Sequence, residues 1–128
     1  VKSDAQVVIA RAAMKNGQEE KAKTAYTEVR KIATGELAAE SLYYDAYFKN
    51  KEGNYEASNT VVQTLAKDYS GYKKWGGKGL VIMAKNFYSL EDAYQATYIL
   101  ENVINNFSDF PEILEEAKTA LIRILFVL

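Results

Sequence analysis

Apolar residues return at helical spacing along almost the whole chain, and short polar breaks divide them into seven blocks. The first is expected to run from about Asp4 to Asn16, capped by Ser3 or Asp4 and ended by Gly17 in a left-handed turn. The second, about Glu19 to Ala33, carries Ala22, Ala25, Tyr26, Val29, Ile32 and Ala33 on one stripe before Thr34-Gly35 breaks it. The third, about Leu37 to Lys51, gathers Ala39, Leu42, Tyr43, Ala46 and Tyr47 on one face, and Gly53-Asn54 turns the chain. The fourth is the cleanest: Tyr55, Ser58, Val61, Val62, Leu65, Ala66 and Tyr69 keep helical spacing until Ser70-Gly71. A fifth helix starts near Lys73 and is firm from Leu80 to Tyr88. The sixth spans about Asp92 to Phe107, with Ala96, Ile99, Leu100, Val103, Ile104 and Phe107 as its stripe. Asp109-Phe-Pro-Glu112 reads as a capping box with proline in the first turn, opening a seventh helix. No stretch alternates with period two for long enough to predict a strand.

A fixed register lies over these blocks. Ala10, Gly17 and Ala22 stand at the same spacing as Ala46, Gly53 and Ser58, and as Ala84, Glu91 and Ala96. In an antiparallel helix pair, small residues sit where the backbones cross, so Ala10 should face Ala22, Ala46 should face Ser58, and Ala84 should face Ala96. A larger side chain there would overpack the crossing, at a typical cost of roughly 1–3 kcal/mol. Glycine at the turn accepts positive φ; Glu91 should make the third turn differ or carry mild strain. The pattern predicts an all-α chain of three helical hairpins, over residues 3–35, 37–70 and 73–108, plus an extra helix over 111–128. The expected architecture is a right-handed solenoid; the alternative is an up-and-down bundle, which uses similar stripes.

These residues resemble the tetratricopeptide repeat, whose pattern places a small residue late in its first helix, glycine at the turn and alanine early in its second. Ala39 through Ala46 and on to Gly53-Asn-Tyr55 match especially well. Tyr72-Lys-Lys-Trp75, Ile82-Met-Ala84 and Gln95 through Ile104 are similar to long tetratricopeptide-repeat proteins common in Bacteroidetes. The resemblance implies a protein-binding module, and it alone suggests a bacterial periplasmic or envelope setting. Departures are Glu91 for glycine, Ser58 for alanine, and no helix-final proline except Pro111.

Composition narrows the chemistry. The 128 residues are about one domain's worth, and with Val1 in first place they read as a fragment of something longer. No histidine and no cysteine occur, which removes Ser–His and Cys–His mechanisms, disulfides and most zinc sites. No cofactor and no enzymatic activity are expected. A formal net charge of −1 makes nucleic acid an unexpected partner. The apolar tail from Leu121 to Leu128 is far too short to cross a bilayer. Its surplus apolar surface points to self-association through the last helix.

Other motifs are weaker. Gly76-Gly77-Lys78-Gly79 lacks the spacing and preceding strand of a phosphate loop, and reads as a weakly formed first turn. Asn106-Phe-Ser108 matches a glycosylation sequon without secretory context. Glu19-Glu20 and Glu115-Glu116 read as solvated first-turn charges. Asp45 is either a tyrosine-bonded buried carboxylate or a helix-edge partner of Lys49. Trp75 is either a binding hot spot or packing between the second and third hairpins.

The resemblance also projects a concave groove lined by the first helix of each hairpin. Its residues are Val7, Arg11, Met14 and Lys15; then Tyr43, Tyr47, Asn50 and Lys51; then Lys78, Val81, Lys85 and Tyr88. The set is basic and aromatic and holds no carboxylate, while Glu19, Glu20, Glu28, Glu56, Asp68 and Glu101 fall on the other helices. Such a groove suits a protein or peptide partner, acidic in character. The alternative is a structural scaffold, with this face packing on neighbouring repeats.

Overall fold

The computed structural model describes residues 2–127, with side-chain surroundings for 4–126. Val1 and Leu128, the last residue of the apolar tail, lie outside the described residues. Among these residues seven helices follow one another: α1 (Lys2–Lys15), α2 (Glu19–Ile32), α3 (Gly35–Lys51), α4 (Tyr55–Asp68), α5 (Lys73–Ser89), α6 (Ala93–Asn106) and α7 (Pro111–Val127). Among the described residues there is no strand, and no helix is long and apolar enough to cross a membrane.

Three expected boundaries are corrected. α1 already includes Ser3 and Asp4, so neither caps it from outside. α5 is continuous from Lys73, so the glycine-rich segment is helix rather than a weak first turn. Pro111 takes the first helical position of α7, and the Phe110 carbonyl accepts the first helical bond from Leu114 at 2.9 Å, leaving Asp109 outside the cap.

Each helix packs on the next, and α3 packs on α5 and α5 on α7. The core is correspondingly divided into three successive clusters. Val7, Ala10, Ala22, Tyr26 and Val29 join α1 and α2, with Phe48 of α3. Ala39, Tyr43, Ala46, Val62 and Leu65 join α3 and α4, with Trp75 and Ile82 of α5. Val81, Ala84, Ala96, Leu100 and Val103 join α5 and α6, with Ile113, Ala117 and Ile124 of α7. Trp75 therefore packs between the second and third hairpins.

All six crossing residues, Ala10, Ala22, Ala46, Ser58, Ala84 and Ala96, have no exposed surface. Ser58 shows how close the backbones come: its hydroxyl donates to the Ala46 carbonyl at 2.7 Å. The three turns share one geometry. The Gly17 amide bonds Met14 and the Gln18 amide bonds Ala13; Gly53 and Asn54 repeat this onto Asn50 and Lys49; Glu91 and Asp92 repeat it onto Tyr88 and Phe87. The third turn thus does not differ in form. Glu91 simply adopts φ 65° where Gly17 and Gly53 have 74° and 81°. A side chain in that region costs roughly 1–2 kcal/mol, of which glycine's larger unfolded-state entropy takes back about half. Glu91→Gly is expected to raise the unfolding free energy by about 0.5–1 kcal/mol in urea melts; an unchanged or lowered midpoint would show that Glu91 has a compensating contact.

From α3 onward each first helix turns an equivalent column onto the preceding hairpin. It reads Leu37, Ser41, Tyr44, Phe48; then Trp75, Gly79, Ile82, Asn86; then Ile113, Ala117, Ala120, Ile124. By that alignment the position of Ala46 and Ala84 is taken in α7 by Ile122, at the same distance from the helix start. Ile122 is 56% exposed, beside exposed Leu125 and Phe126, so the outer face of α7 is apolar and uncovered.

Candidate functional site

The projected groove residues divide into three groups once their surroundings are known. Val7, Tyr43 and Val81 are core residues at 4%, 6% and 0% exposure, which corrects their placement in an open groove. The reason is the next hairpin: the Tyr43 ring packs 5.7 Å from that of Trp75 on α5 with Lys78 over it, and Val81 sits in the cluster that α7 closes. Lys15, Lys51 and Tyr88 are exposed, and Met14 is half-buried. The remaining residues are all engaged with partners.

Arg11 makes a bidentate pair with Glu40, Nε to Oε2 at 3.0 Å and Nη2 to Oε1 at 2.6 Å, and the Tyr26 hydroxyl donates to Glu40 Oε2 at 2.7 Å. Glu40 is 2% exposed. The expectation of a groove without carboxylates is therefore wrong, and the tyrosine-bonded buried carboxylate is Glu40 rather than Asp45. Asp45 takes its helix-edge role, accepting from Lys49 at 2.6 Å. Burial alone would raise the Glu40 carboxyl, but the hydrogen bonds from Arg11 and Tyr26 outweigh it and hold the group below its ordinary value. Burial and the Glu40 bond push the Tyr26 phenol well up. Tyr26 stacks on Tyr44 at 4.3 Å between ring centres.

Lys85 pairs with Glu116 of α7 at 3.2 Å, a second carboxylate that sequence projection omitted. Tyr47 donates to Glu19 at 2.9 Å, and burial with that bond pushes its phenol up to about 12. Asn50 donates to Asn86, which donates to Asn59, both at 2.8 Å, so an amide chain runs from this face into α4. Asn50, Lys51, Lys85, Tyr88 and Arg123 line a cavity of ≈ 540 Å³ floored by Ala120 and Ile124.

Lys78 has a different environment. Its ammonium lies 4.8 Å from the Tyr43 ring centre and 5.0 Å from that of Trp75, and no carboxylate pairs with it among the described ion pairs. Lys74, one turn earlier, lies 4.9 Å from the same indole and is likewise without an ion pair. The indole itself donates to Glu36 at 3.3 Å. Burial, reinforced by the neighbouring Lys74 charge, pulls the Lys78 amine below the usual lysine range. Aromatic faces favour a cation by about 0.5–2 kcal/mol, but they do not neutralise it. The two lysines border a cavity of ≈ 280 Å³ shared with Arg11, Met14, Glu40 and Tyr44. On the other side they border one of ≈ 360 Å³ shared with Asp109, Pro111, Glu112 and Glu116.

Sequence reasoning missed Glu40, Lys74, Glu116 and the aromatic platform. A signal for Glu40 existed: it is the one charge inside the small, apolar run Ala38-Ala39-Glu40-Ser41-Leu42. Nothing local marked Glu116, because its partner comes from a different helix. The arrangement sets two cations without ion pairs over the buried rings of Tyr43 and Trp75. Comparison with protein-family models and with curated proteins finds no match, so the residues themselves carry the functional argument.

Proposed function

We propose that this chain is a non-catalytic protein-interaction module of the tetratricopeptide-repeat kind, a right-handed solenoid whose concave face takes an acidic segment of a partner protein. The observation that carries the reading is Lys78, a half-buried ammonium set on Tyr43 and Trp75 without a carboxylate of its own. A protein keeps a desolvated, unpaired cation at a cost, and an incoming carboxylate removes that cost on binding. Nearest-neighbour packing and the triple register support the solenoid reading.

Trp75 is the single tryptophan and lies beneath both lysines, so its fluorescence reports on the site. Titration with a hexaglutamate peptide is expected to shift that emission, with affinity falling as salt rises. Lys78→Met keeps the apolar stem and removes the charge, and is expected to weaken binding about tenfold or more. An emission spectrum indifferent to the peptide, or an unchanged affinity in Lys78→Met, would overturn the proposal.

A scaffold role is the second reading, favoured by the uncovered apolar surface of α7 and by exposed Val8 and Ile9 on α1. Light scattering separates the two, since a scaffold assembles as concentration rises and loses that tendency in Phe126→Lys.

A further inference from the structure

We infer that the cavity bounded by Arg11, Lys74 and Lys78 is a site for a phosphomonoester dianion. The inference rests on the proposed reading of the same face as an acid-binding surface, and it specifies which acid.

The cavity holds three cations and one carboxylate, Glu40. Glu40 is already occupied by Arg11 and Tyr26. Two ammonium groups are left over, those of Lys74 and Lys78. One carboxylate from a partner would neutralise one of them. A phosphomonoester carries close to two charges at neutral pH and three acceptor oxygens, enough to meet both amines at once. Arg11 spends Nε and Nη2 on Glu40 and leaves Nη1 unbonded, which supplies a further donor at the rim.

The start of α5 is also unlike the other helix starts. Helices α1, α2, α3, α4 and α7 each place an acidic residue in the first turn, and α6 is capped by Asp92. The first turn of α5 holds Lys73 and Lys74 and no acid. Cations there oppose the helix dipole, and local rules broken without compensation mark functional positions. A dianion beside Lys74 supplies the missing negative charge. Glu112 and Glu116 attract Lys78 from a distance, but none of Asp109, Glu112 and Glu116 forms an ion pair with either amine, and Glu116 is held by Lys85.

Both amines rest on the indole of Trp75, and Lys78 is held between it and Tyr43. Two amines resting on one indole, one helical turn apart, are partly arranged before any ligand arrives, which lowers the ordering cost of binding.

The test compares three probes by Trp75 emission at pH 7.5: a short glycine-flanked phosphoserine peptide, the same peptide with glutamate, and inorganic phosphate. The phosphoserine peptide is expected to bind about tenfold tighter than the glutamate peptide. That advantage should vanish as pH falls below the second phosphate pKa, about 6. Lys74→Met and Lys78→Met, checked for folding by circular dichroism, should each remove most of it. Inorganic phosphate binding as tightly as the phosphopeptide assigns the site to free phosphate; weaker binding assigns it to a phosphorylated partner. Equal affinity of the phosphoserine and glutamate peptides overturns the phosphoryl assignment and leaves the acidic-partner reading standing. If neither these peptides nor hexaglutamate perturbs Trp75, both fall together.

Discussion

Arg11→Ala is expected to lower the unfolding free energy by about 2–3 kcal/mol, although Arg11 is itself more than half exposed. Removing one partner of a buried ion pair typically costs about 3–5 kcal/mol, and the exposure of Arg11 places this pair below that range. The damage lies at Glu40, whose carboxylate at 2% exposure would keep only Tyr26 as a partner. Reversal to glutamate would be worse, since it sets two carboxylates together. Acid behaviour gives the signature. In the native chain the Glu40 carboxyl is held below its ordinary value of 4.5, so its stabilisation is complete above that pH and is lost as pH falls through the lowered value. Without Arg11, burial becomes the dominant influence and raises the carboxyl instead. The variant should then recover ground against the native chain as pH is lowered from 7 to 4, because protonation relieves the buried charge. Urea melts across that range read both effects. Equal stability of the two proteins at pH 7 would show that Glu40 is not held by Arg11.

Two adjacent glycines in α5 are expected to respond to alanine in opposite directions. A Cβ on Gly77 would stand 2.6 and 2.8 Å from ring carbons of Phe107 and 3.2 Å from the Ile113 Cδ1, so those side chains would have to give way. Overpacking of this kind costs roughly 1–3 kcal/mol, against which alanine's helix propensity returns about 1. A Cβ on Gly76 would meet nothing within 4 Å, leaving only the propensity gain of up to about 1 kcal/mol. Thermal melts of Gly76→Ala and Gly77→Ala should therefore move apart, the first upward and the second downward. Movement in the same direction would mean that α5 does not approach Phe107 as described. The pair also bears on the glycine run as a whole. A Cβ on Gly79 would stand 3.1 Å from Leu65, so Gly77 and Gly79 serve close helix approach and not phosphate-loop geometry.

The helices were readable because their signals are local: apolar spacing, small residues at crossings, and glycine at two of three equivalent turns. Glu91 was readable as an exception, though the turn kept its form and absorbed the strain. The candidate site was readable only in part. Arg11, Tyr47, Lys78 and Lys85 were found because they project from first helices, but what each touches depends on other helices. Glu40 reaches Arg11 across 29 positions of sequence and Glu116 reaches Lys85 across 31. Periodicity carries no information about such meetings. Tyr43 and Val81 were misplaced for a related reason. A helical wheel shows which residues share a stripe, and only packing shows whether solvent or a second helix lies against it.

The divided core has a consequence for how the molecule opens. Three clusters in succession, each closed by a residue set from the next helix, give no single centre whose loss unfolds everything at once. Fluctuations that expose one cluster need break only its own interfaces, so protection against hydrogen exchange should be graded along the chain rather than uniform. Arg11 and Glu40 tie the first hairpin to the second, while Lys78 and Trp75 belong to the third. A ligand held among them would touch three hairpins whose clusters already share Tyr44, Tyr47, Leu80, Phe87 and Ile99, and its binding energy would be distributed as cooperativity between neighbours.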